Sequence, residues 1–536
     1  MSNTAKIKLF FAKNILAFIF LIAVAVRIYL IATHGTIVND GIVYIDWAKK
    51  MAEGNFIGGT ALNIFNLYPL LILISYKFLN LFAAVSYEMS AMILNSIFGI
   101  AVIFPLYKLT KKYFGFLPAM ITGFYLALQP EFLRMSCDVL RGPAYLCGVI
   151  YAFYFFITAL KFPCPKAWSL WKIALAGLLI LFSALVRLEA LVMFGCFAVT
   201  ILLARVERGR AYFFSERLKS LLALGSMIII LAVPAAGIVR LKTGEWHLAR
   251  LDKITAPWSM GKIKTKSNDP LKDLTVKLQS QMYSQNGTEN PDIGTCVRFI
   301  KMAKTHRWII YGSEILAALW KALHGVAAIA FLFGLIYVVR KKLLPLDDPL
   351  SVAIISATIL FGGMFLLYVE GGKYYLATRH IIIMALIYSL FVGTPALAAI
   401  GKSIQVKLIA LAIIALAFGI IILKDSHPIR VKKLPMKHCG LKLAKQLPEK
   451  SVLLLPSSLR QIAYYADLPF KPLSTLETGW VKKFLNKKPD RYLIINKTKN
   501  WQVDFLNQIT GSVKKIEFDS PKSKRYLFEI YTGKNL

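Results

Sequence analysis

The run Phe65-Asn-Leu-Tyr-Pro-Leu-Leu-Ile-Leu-Ile-Ser-Tyr-Lys-Phe-Leu-Asn-Leu-Phe-Ala-Ala84 decides how the whole chain is threaded. It is apolar over a bilayer-spanning length, yet it carries Asn66, Pro69, Lys77 and Asn80. If it does not cross, the cation-rich loops all fall on one side of the membrane. These hold Lys108/Lys111/Lys112, Lys161/Lys166/Lys172, Arg205/Arg208/Arg210/Arg217/Lys219, Arg340/Lys341/Lys342 and Lys402/Lys407. The positive-inside bias makes that side the cytoplasm. If the run does cross, most later basic loops move outside, and Asp40 and Asp138 face opposite compartments. It therefore reads as a juxtamembrane or re-entrant segment on the outer face.

The remaining apolar runs are spanning candidates: Ile15–Thr33, Glu88–Leu109, Phe114–Pro130, Arg141–Leu160, Trp171–Val186, Glu189–Ala204, Leu221–Val239, His324–Val339, Pro349–Val369, Ile381–Ile400 and Val406–Leu423. That makes about eleven crossings, each near bilayer length. With 57% hydrophobic and only 17% charged residues, a 536-residue chain is too apolar for a soluble core. The expected class is an all-α polytopic membrane protein with juxtamembrane helices. Lys and Arg outnumber acids 65 to 28. Such an excess often marks nucleic-acid binding, but here the cations flank spans, where they set orientation and meet anionic lipid. Arg27, inside the first span, is near enough to one end to snorkel. Six scattered cysteines match neither a zinc site nor a disulfide framework. Lys6, Lys8 and Lys13 before the first run imitate a secretory signal, but no small-residue cleavage site follows, so the run reads as a retained span.

On this threading the outer face receives segments 34-87, 131-140, 240-322 and 370-380 of a membrane domain covering residues 1-427. It also receives the polar stretch 428-536. There Ser451–Leu455 and Tyr492–Ile495 look like buried strands, and Val513–Phe518 with Tyr526–Tyr531 like a hairpin. Helical patterns lie around Leu441–Leu447, Leu459–Ala466, Gly479–Leu485 and Trp501–Ile509. A small C-terminal α/β extracytoplasmic domain is expected, without a Gly-rich phosphate loop.

The candidate chemistry sits in the outer segments. Asp40 stands at the start of an amphipathic stretch, Ile42 to Glu53, either as a helix cap or as a functional carboxylate at the membrane exit. Asp138 lies between Pro130 and Pro143, beside Glu131, Arg134 and Arg141, either in a loop salt bridge or facing substrate with Asp40. Arg187-Leu-Glu189 closes a hairpin between two spans, as an ion pair or a ligand contact. The segment Glu370-Gly-Gly-Lys-Tyr-Tyr-Leu-Ala-Thr-Arg-His380 brings Lys373, Arg379 and His380 to head-group level, where Arg can fork a phosphate and Lys act as a point charge.

The order of these pieces resembles the integral-membrane C-type (GT-C fold) glycosyltransferases that use polyprenyl-phosphate sugars, the group of the protein O-mannosyltransferases and the lipid A aminoarabinose transferase. The matching elements are Asn39-Asp40-Gly-Ile-Val-Tyr44 with Gly54, Tyr68-Pro69-Leu70, Lys111-Lys-Tyr-Phe-Gly115, Gln129-Pro130 leading to Ser136-Cys137-Asp138, Arg187-Leu-Glu189, and Tyr375 through Arg379-His380. They cover roughly Ile15 to Ile400, in order. Asn39 stands where the family often has a second acid, and His380 where Tyr is frequent. The tail lacks the β-trefoil repeats of many eukaryotic O-mannosyltransferases.

The resemblance implies an inverting transfer, outside the cytoplasm, from a polyprenyl-phosphate sugar to a hydroxyl of a glycan, lipid or protein of the cell envelope. It implies Asp40 and Asp138 as catalytic carboxylates, with Arg379, Lys373 and His380 binding the donor phosphate. Arg187, Glu189, Tyr68 and Tyr375 are implied as further substrate contacts. No obligatory metal and no other cofactor is expected, since cations can neutralise a leaving monophosphate. Membrane lipid is the expected surroundings and the plasma (inner) membrane of a prokaryote the expected location. A lipid-linked-sugar flippase or transporter, or a diphosphate-donor glycan polymerase or ligase, is the alternative.

Overall fold

The computed structural model describes residues 3–55, 66–161, 166–204, 214–243, 307–368, 378–399, 403–425 and, in the tail, 427–473, 481, 484–485, 490–496, 513–516 and 528–533. Helix α1 spans Asn3–Ala32, and the amphipathic α2 spans Asn39–Ala52. The deciding run forms α3, Leu67–Leu79, capped by the Asn66 side chain accepting the Tyr68 amide. Its 13 residues rise about 20 Å, short of the roughly 30 Å hydrocarbon layer. Ser86 then caps α4, Tyr87–Ala101, by accepting the Met89 amide. The two helices lie side by side: Ser75 Oγ donates to Ser90 O, and Tyr76 stacks on Tyr87 at 3.7 Å. The chain thus reverses between α3 and α4, and α3 is too short to count among the long apolar helices.

Helix α5 is Ile103–Phe114, and α6 is Phe116–Leu128. Gln129 and Pro130 open the short α7, Pro130–Ser136, with the Gln129 side chain accepting the Phe132 amide. The bundle continues through α8 (Gly142–Lys161), α9 (Lys166–Val186), α10 (Leu191–Leu203) and α11 (Phe214–Thr243). The later helices are α12 (Arg307–Leu323), α13 (Gly325–Arg340), α14 (Pro349–Tyr368), α15 (Thr378–Tyr388) and α16 (Ile404–Asp425). One continuous apolar core joins them, with Phe156 stacked on Phe197 and Phe331 on Tyr388.

Among the described residues, six helices are long and apolar enough to cross a membrane, or seven if one bent pair counts as a span. The chain is an integral membrane protein. The expected count of about eleven is not reached, because several expected crossings are short or broken. Phe114–Pro130 yields the 13-residue α6, and Glu189–Ala204 is a 3-10 turn followed by α10. The expected outer segment 240-322 ends in a helix, α12, which meets α13 at 103° across His324, whose φ is 67°. Tyr125 and Gln129 donate to the carbonyls of Leu323 and Ala322 that this break leaves open.

Arg27 does not snorkel. It is 1% exposed, with Nε donating to Ser136 Oγ at 3.0 Å and Nη1 to the carbonyls of Ala23 and Ala127. A guanidinium carries five donors, and these acceptors let it stay inside the bundle and tie α1 to α6 and α7.

The tail forms a five-stranded sheet in the order β2-β1-β3-β5-β4. The strands are β1 (Val452–Leu455), β2 (Phe470–Pro472), β3 (Arg491–Asn496), β4 (Val513–Ile516) and β5 (Phe528–Gly533). β1 runs parallel to β2 and β3, while β5 is antiparallel to β3 and β4. The expected strands and hairpin are present. The edge strand β2, ending at Pro472, is an addition to them; its proline cannot extend a ladder and so reads as loop in the sequence. Helices α17 (Leu434–Gln446) and α18 (Arg460–Ala466) pack on one face, and Val481, Phe484 and Leu485 on the other. The expected helix at Trp501–Ile509 lies outside the described residues, as does most of Gly479–Leu485.

Replacing Arg27 by Ala should remove its three anchors and leave a void, a loss of about 2–5 kcal/mol typical of large-to-small core changes. The check is a lowered thermal midpoint of the purified protein in detergent; an unchanged midpoint would show that the buried guanidinium is dispensable.

Candidate functional site

Asp40 is the second residue of α2, but it does not cap it. Val38 holds the cap position, and no side chain bonds the first amides. The Asp40 carboxylate instead accepts Arg379 Nη1 at 3.0 Å, with both side chains about half exposed, 48% and 47%. Arg379 is reached because α15 begins at Thr378, placing it and His380 in the first turn. The sequence separates the two partners by 339 positions, yet they meet at one hollow.

Behind this pair sits a second layer. Arg187 Nη2 donates to Glu189 Oε1 at 2.5 Å and approaches His380 Nδ1 at 3.0 Å. His380 Nδ1 also lies 4.0 Å from Glu189 Oε1, so the ring is set between the guanidinium and the carboxylate. Arg187 also lies 5.4 Å over the Tyr145 ring and is 7% exposed. Arg187 and Glu189 form the expected ion pair, and Arg187 also lines the recess, so the ligand-contact reading stays open beside it. A recess of about 60 Å³ joins Asp40, Tyr44, Arg141, Arg187, Arg379 and His380. Its cations outnumber its single carboxylate, so it favours an anion.

Arg379 also borders a larger hollow of about 540 Å³. Asp138 lines that hollow, together with Glu131, Arg134 and Arg430. The structure thus brings Asp40 and Asp138 to adjoining cavities that share Arg379, Met135 and Leu140. Their surroundings differ. Asp138 is 2% exposed, and its Oδ1 accepts the amides of Val139 (2.8 Å) and Val38 (3.3 Å). Its Oδ2 accepts Arg430 Nε at 2.7 Å. Arg430 comes from the tail, and nothing in its sequence surroundings distinguishes it from neighbouring cations.

Tyr68 is fully buried. Its hydroxyl accepts Asn95 Nδ2 at 2.8 Å, and its ring meets Tyr44 edge-on at 5.2 Å, so it supports the floor under α2. Asn95 also donates to the carbonyls of Asp138 and Leu140. Sequence reasoning misses Asn95, whose only signal is an amide inside an apolar run. Lys373 and Tyr375 lie outside the described residues. Among the described residues, no group of three or more His, Cys, Asp or Glu side chains is placed to hold a metal.

No family model matches the chain, and no curated protein matches it. Solved structures do. ArnT from Cupriavidus metallidurans, bound to undecaprenyl phosphate, aligns with 96% of this chain and 97% of its own at a TM-score of 0.59 and 12% identity. The Archaeoglobus fulgidus oligosaccharyltransferase in its apo form aligns with 96% of this chain and 75% of its own, at a TM-score of 0.54 and 14% identity. The AglB oligosaccharyltransferase of the same organism, in complex with an inhibitory peptide and a dolichol-phosphate, aligns over 91% and 70%, at 0.52 and 14%. These are glycosyltransferases of the GT-C fold, and this chain has that fold.

His34, just past α1, lies 3.8 Å from Asp138 Oδ1 with its side chain 2% exposed and neither ring nitrogen hydrogen-bonded. Burial pushes its pKa below the ordinary imidazole value; Asp138 pulls it up, and the charges of Arg430 and Lys437 press it down. The docked tail therefore prefers neutral His34. Docking should be strongest above about pH 6.5 and weaken as pH falls below it, where a released imidazole takes up a proton. Hydrogen exchange at the Gly35 and Ile37 amides, corrected for intrinsic pH dependence, should accelerate from pH 7.5 to 5.5. His34→Leu should flatten that dependence, and an identical profile in both proteins would refute it.

Proposed function

We propose that this chain is an inverting glycosyltransferase that moves a sugar from a polyprenyl-phosphate donor to a hydroxyl of a cell-envelope glycan, lipid or protein. The observation that carries the reading is the Asp40–Arg379 pair at 3.0 Å, at the rim of a cation-lined recess. The fold shared with lipid-phosphate-bound ArnT and AglB supports it. The transporter alternative gains nothing from a glycosyltransferase fold. The proposed setting is the outer face of a prokaryotic plasma membrane, with about eleven crossings and the tail outside.

In the proposed reaction the acceptor oxygen attacks the anomeric carbon as the bond from that carbon to the donor phosphate oxygen breaks. The phosphate leaves with the bonding electron pair, and the acceptor proton passes to Asp40. An ionised aspartate is a weak base toward an alcohol. It becomes competent as the sugar carbon gains positive charge and acidifies the attacking hydroxyl. The leaving phosphate gains negative charge beside Arg379, Arg141 and Arg187, whose donors are already held in place. Arg379 is the natural hinge between the two partners. A lipid phosphate competing for its guanidinium would release Asp40 to face the acceptor. His380, on the rim of the same recess, can donate a ring N–H to a phosphate oxygen. Metal independence is proposed on the same ground: arginines stand where a diphosphate enzyme would need a divalent cation.

The test is in-vitro transfer from a panel of radiolabelled polyprenyl-phosphate sugars by the purified protein. Asp40→Asn should lower turnover by about 10²–10⁴-fold, the range of general-base catalysis, while leaving membrane insertion intact. Arg379→Ala should weaken use of the donor, raising the concentration that half-saturates the enzyme. Chelation with EDTA should leave wild-type turnover unchanged. Full activity in Asp40→Asn, or no transfer from any monophosphate donor, would overturn the reading.

A further inference from the structure

The segment that leads into α2 is held almost entirely from outside itself. Gly35 N donates to Ile429 O at 2.9 Å. Ile37 N donates to Tyr465 Oη, and Ile37 O accepts Gln461 Nε2, each at 3.2 Å. Val38 N donates to Asp138 Oδ1, whose partner oxygen is fixed by Arg430. Ile429, Arg430, Gln461 and Tyr465 all belong to the tail. Buried backbone groups must find partners, and here the tail supplies most of them.

The fit is close on both sides of this segment. A Cβ on Gly35 would lie 2.8 Å from the carbonyl oxygen of Arg430, so only glycine lets the two backbones touch. Arg430 itself sits in the left-handed region, at φ 56°, a conformation that a non-glycine residue keeps only when its contacts hold it there. Two residues beyond Val38 comes Asp40. At Gly41 a Cβ would meet Val139 at 2.8 Å, so the first turn of α2 is seated directly on the residue after Asp138.

We propose that the tail is a working part of the catalytic site, with Arg430 as a positioning residue that sets Asp40 through Asp138 and the Val38 amide. Tyr465 and Gln461 fix the same segment one residue earlier. Asp138 then acts as the anchor between tail and site, and Asp40 alone exchanges the proton. This inference rests on the transferase reading given above. A displacement of about 1 Å at a reacting group can lower rates about 10²-fold, so a slack segment would spare binding and harm turnover.

The test pairs kinetics with a structural reporter. Thr36 is fully buried, its hydroxyl has no partner, and both its neighbours bond the tail, so Thr36→Cys places a thiol within the docked segment. In that background Arg430→Gln should lower kcat by about 10- to 100-fold, with the donor KM within about twofold. It should also expose the introduced thiol to a membrane-impermeant maleimide. Arg430→Lys, which keeps the charge, should recover part of the turnover and part of the protection. Tyr465→Phe should increase labelling of that thiol modestly and add to the effect of Arg430→Gln. Wild-type kcat in Arg430→Gln, or a fall in kcat with the reporter still protected, would overturn the proposal. A raised KM with unchanged kcat would do the same, by making Arg430 a substrate contact. If the parent protein transfers nothing, the transferase reading fails by itself. Maleimide labelling then still decides the coupling, and equal labelling with and without Arg430 refutes it.

Discussion

A carboxylate removed from water must be compensated, and at Asp138 three donors do it: two backbone amides and one guanidinium. Removing one partner from such a buried pair typically costs about 3–5 kcal/mol, because the other charge is left stranded. The three donors belong to different parts of the chain. Val38 opens α2, Val139 follows α7, and Arg430 precedes α17. Bringing these to one point fixes the angle between the membrane bundle, the amphipathic helix and the tail. The cavities beside it inherit their shape from that junction.

Arg379 connects this junction to the proposed chemistry. It borders both hollows and is held by Asp40 at half exposure, where an ion pair contributes little to stability because water screens it. The contrast with Asp138 is informative. One aspartate is enclosed and fully satisfied; the other keeps a partner it can exchange. A structural role suits the first, and the proposed proton exchange suits the second.

Much of the site was legible in the sequence because its residues break apolar runs. Asp40, Asp138, Arg187, Glu189, Arg379 and His380 are all polar interruptions at span ends; the structure gathers five of them around adjoining cavities and pairs Glu189 with Arg187 behind them. The shortness of α3 was legible in the Asn66, Pro69, Lys77 and Asn80 that interrupt Phe65–Ala84, while its side of the membrane rests on the cation bias of distant loops. Arg430 was not legible, since it is one cation in a tail rich in lysine and arginine, and only three-dimensional docking distinguishes it. Asn95 and the burial of Arg27 were hidden likewise, because what satisfies a polar group inside a bundle comes from another helix. The expected crossings outnumber the six long apolar helices among the described residues because apolar runs such as Phe114–Pro130 and Glu189–Ala204 form helices of only 13 residues. The tail's strands were readable except for β2, whose proline reads as loop.

The contact between Ile37 and Tyr465 spans 428 positions in sequence. Closing so wide a circuit is slow for a folding chain, and its partners emerge from the ribosome far apart in time. While the bundle is being threaded into the bilayer, the entry to α2 has nothing to dock against, and Asp138 awaits its guanidinium. A nascent protein interrupted before Tyr465 would therefore carry the described helices α1 to α16 yet lack the tail contacts at Ile37. On the proposal that the tail positions Asp40, the residues that complete the site are among the last to be made.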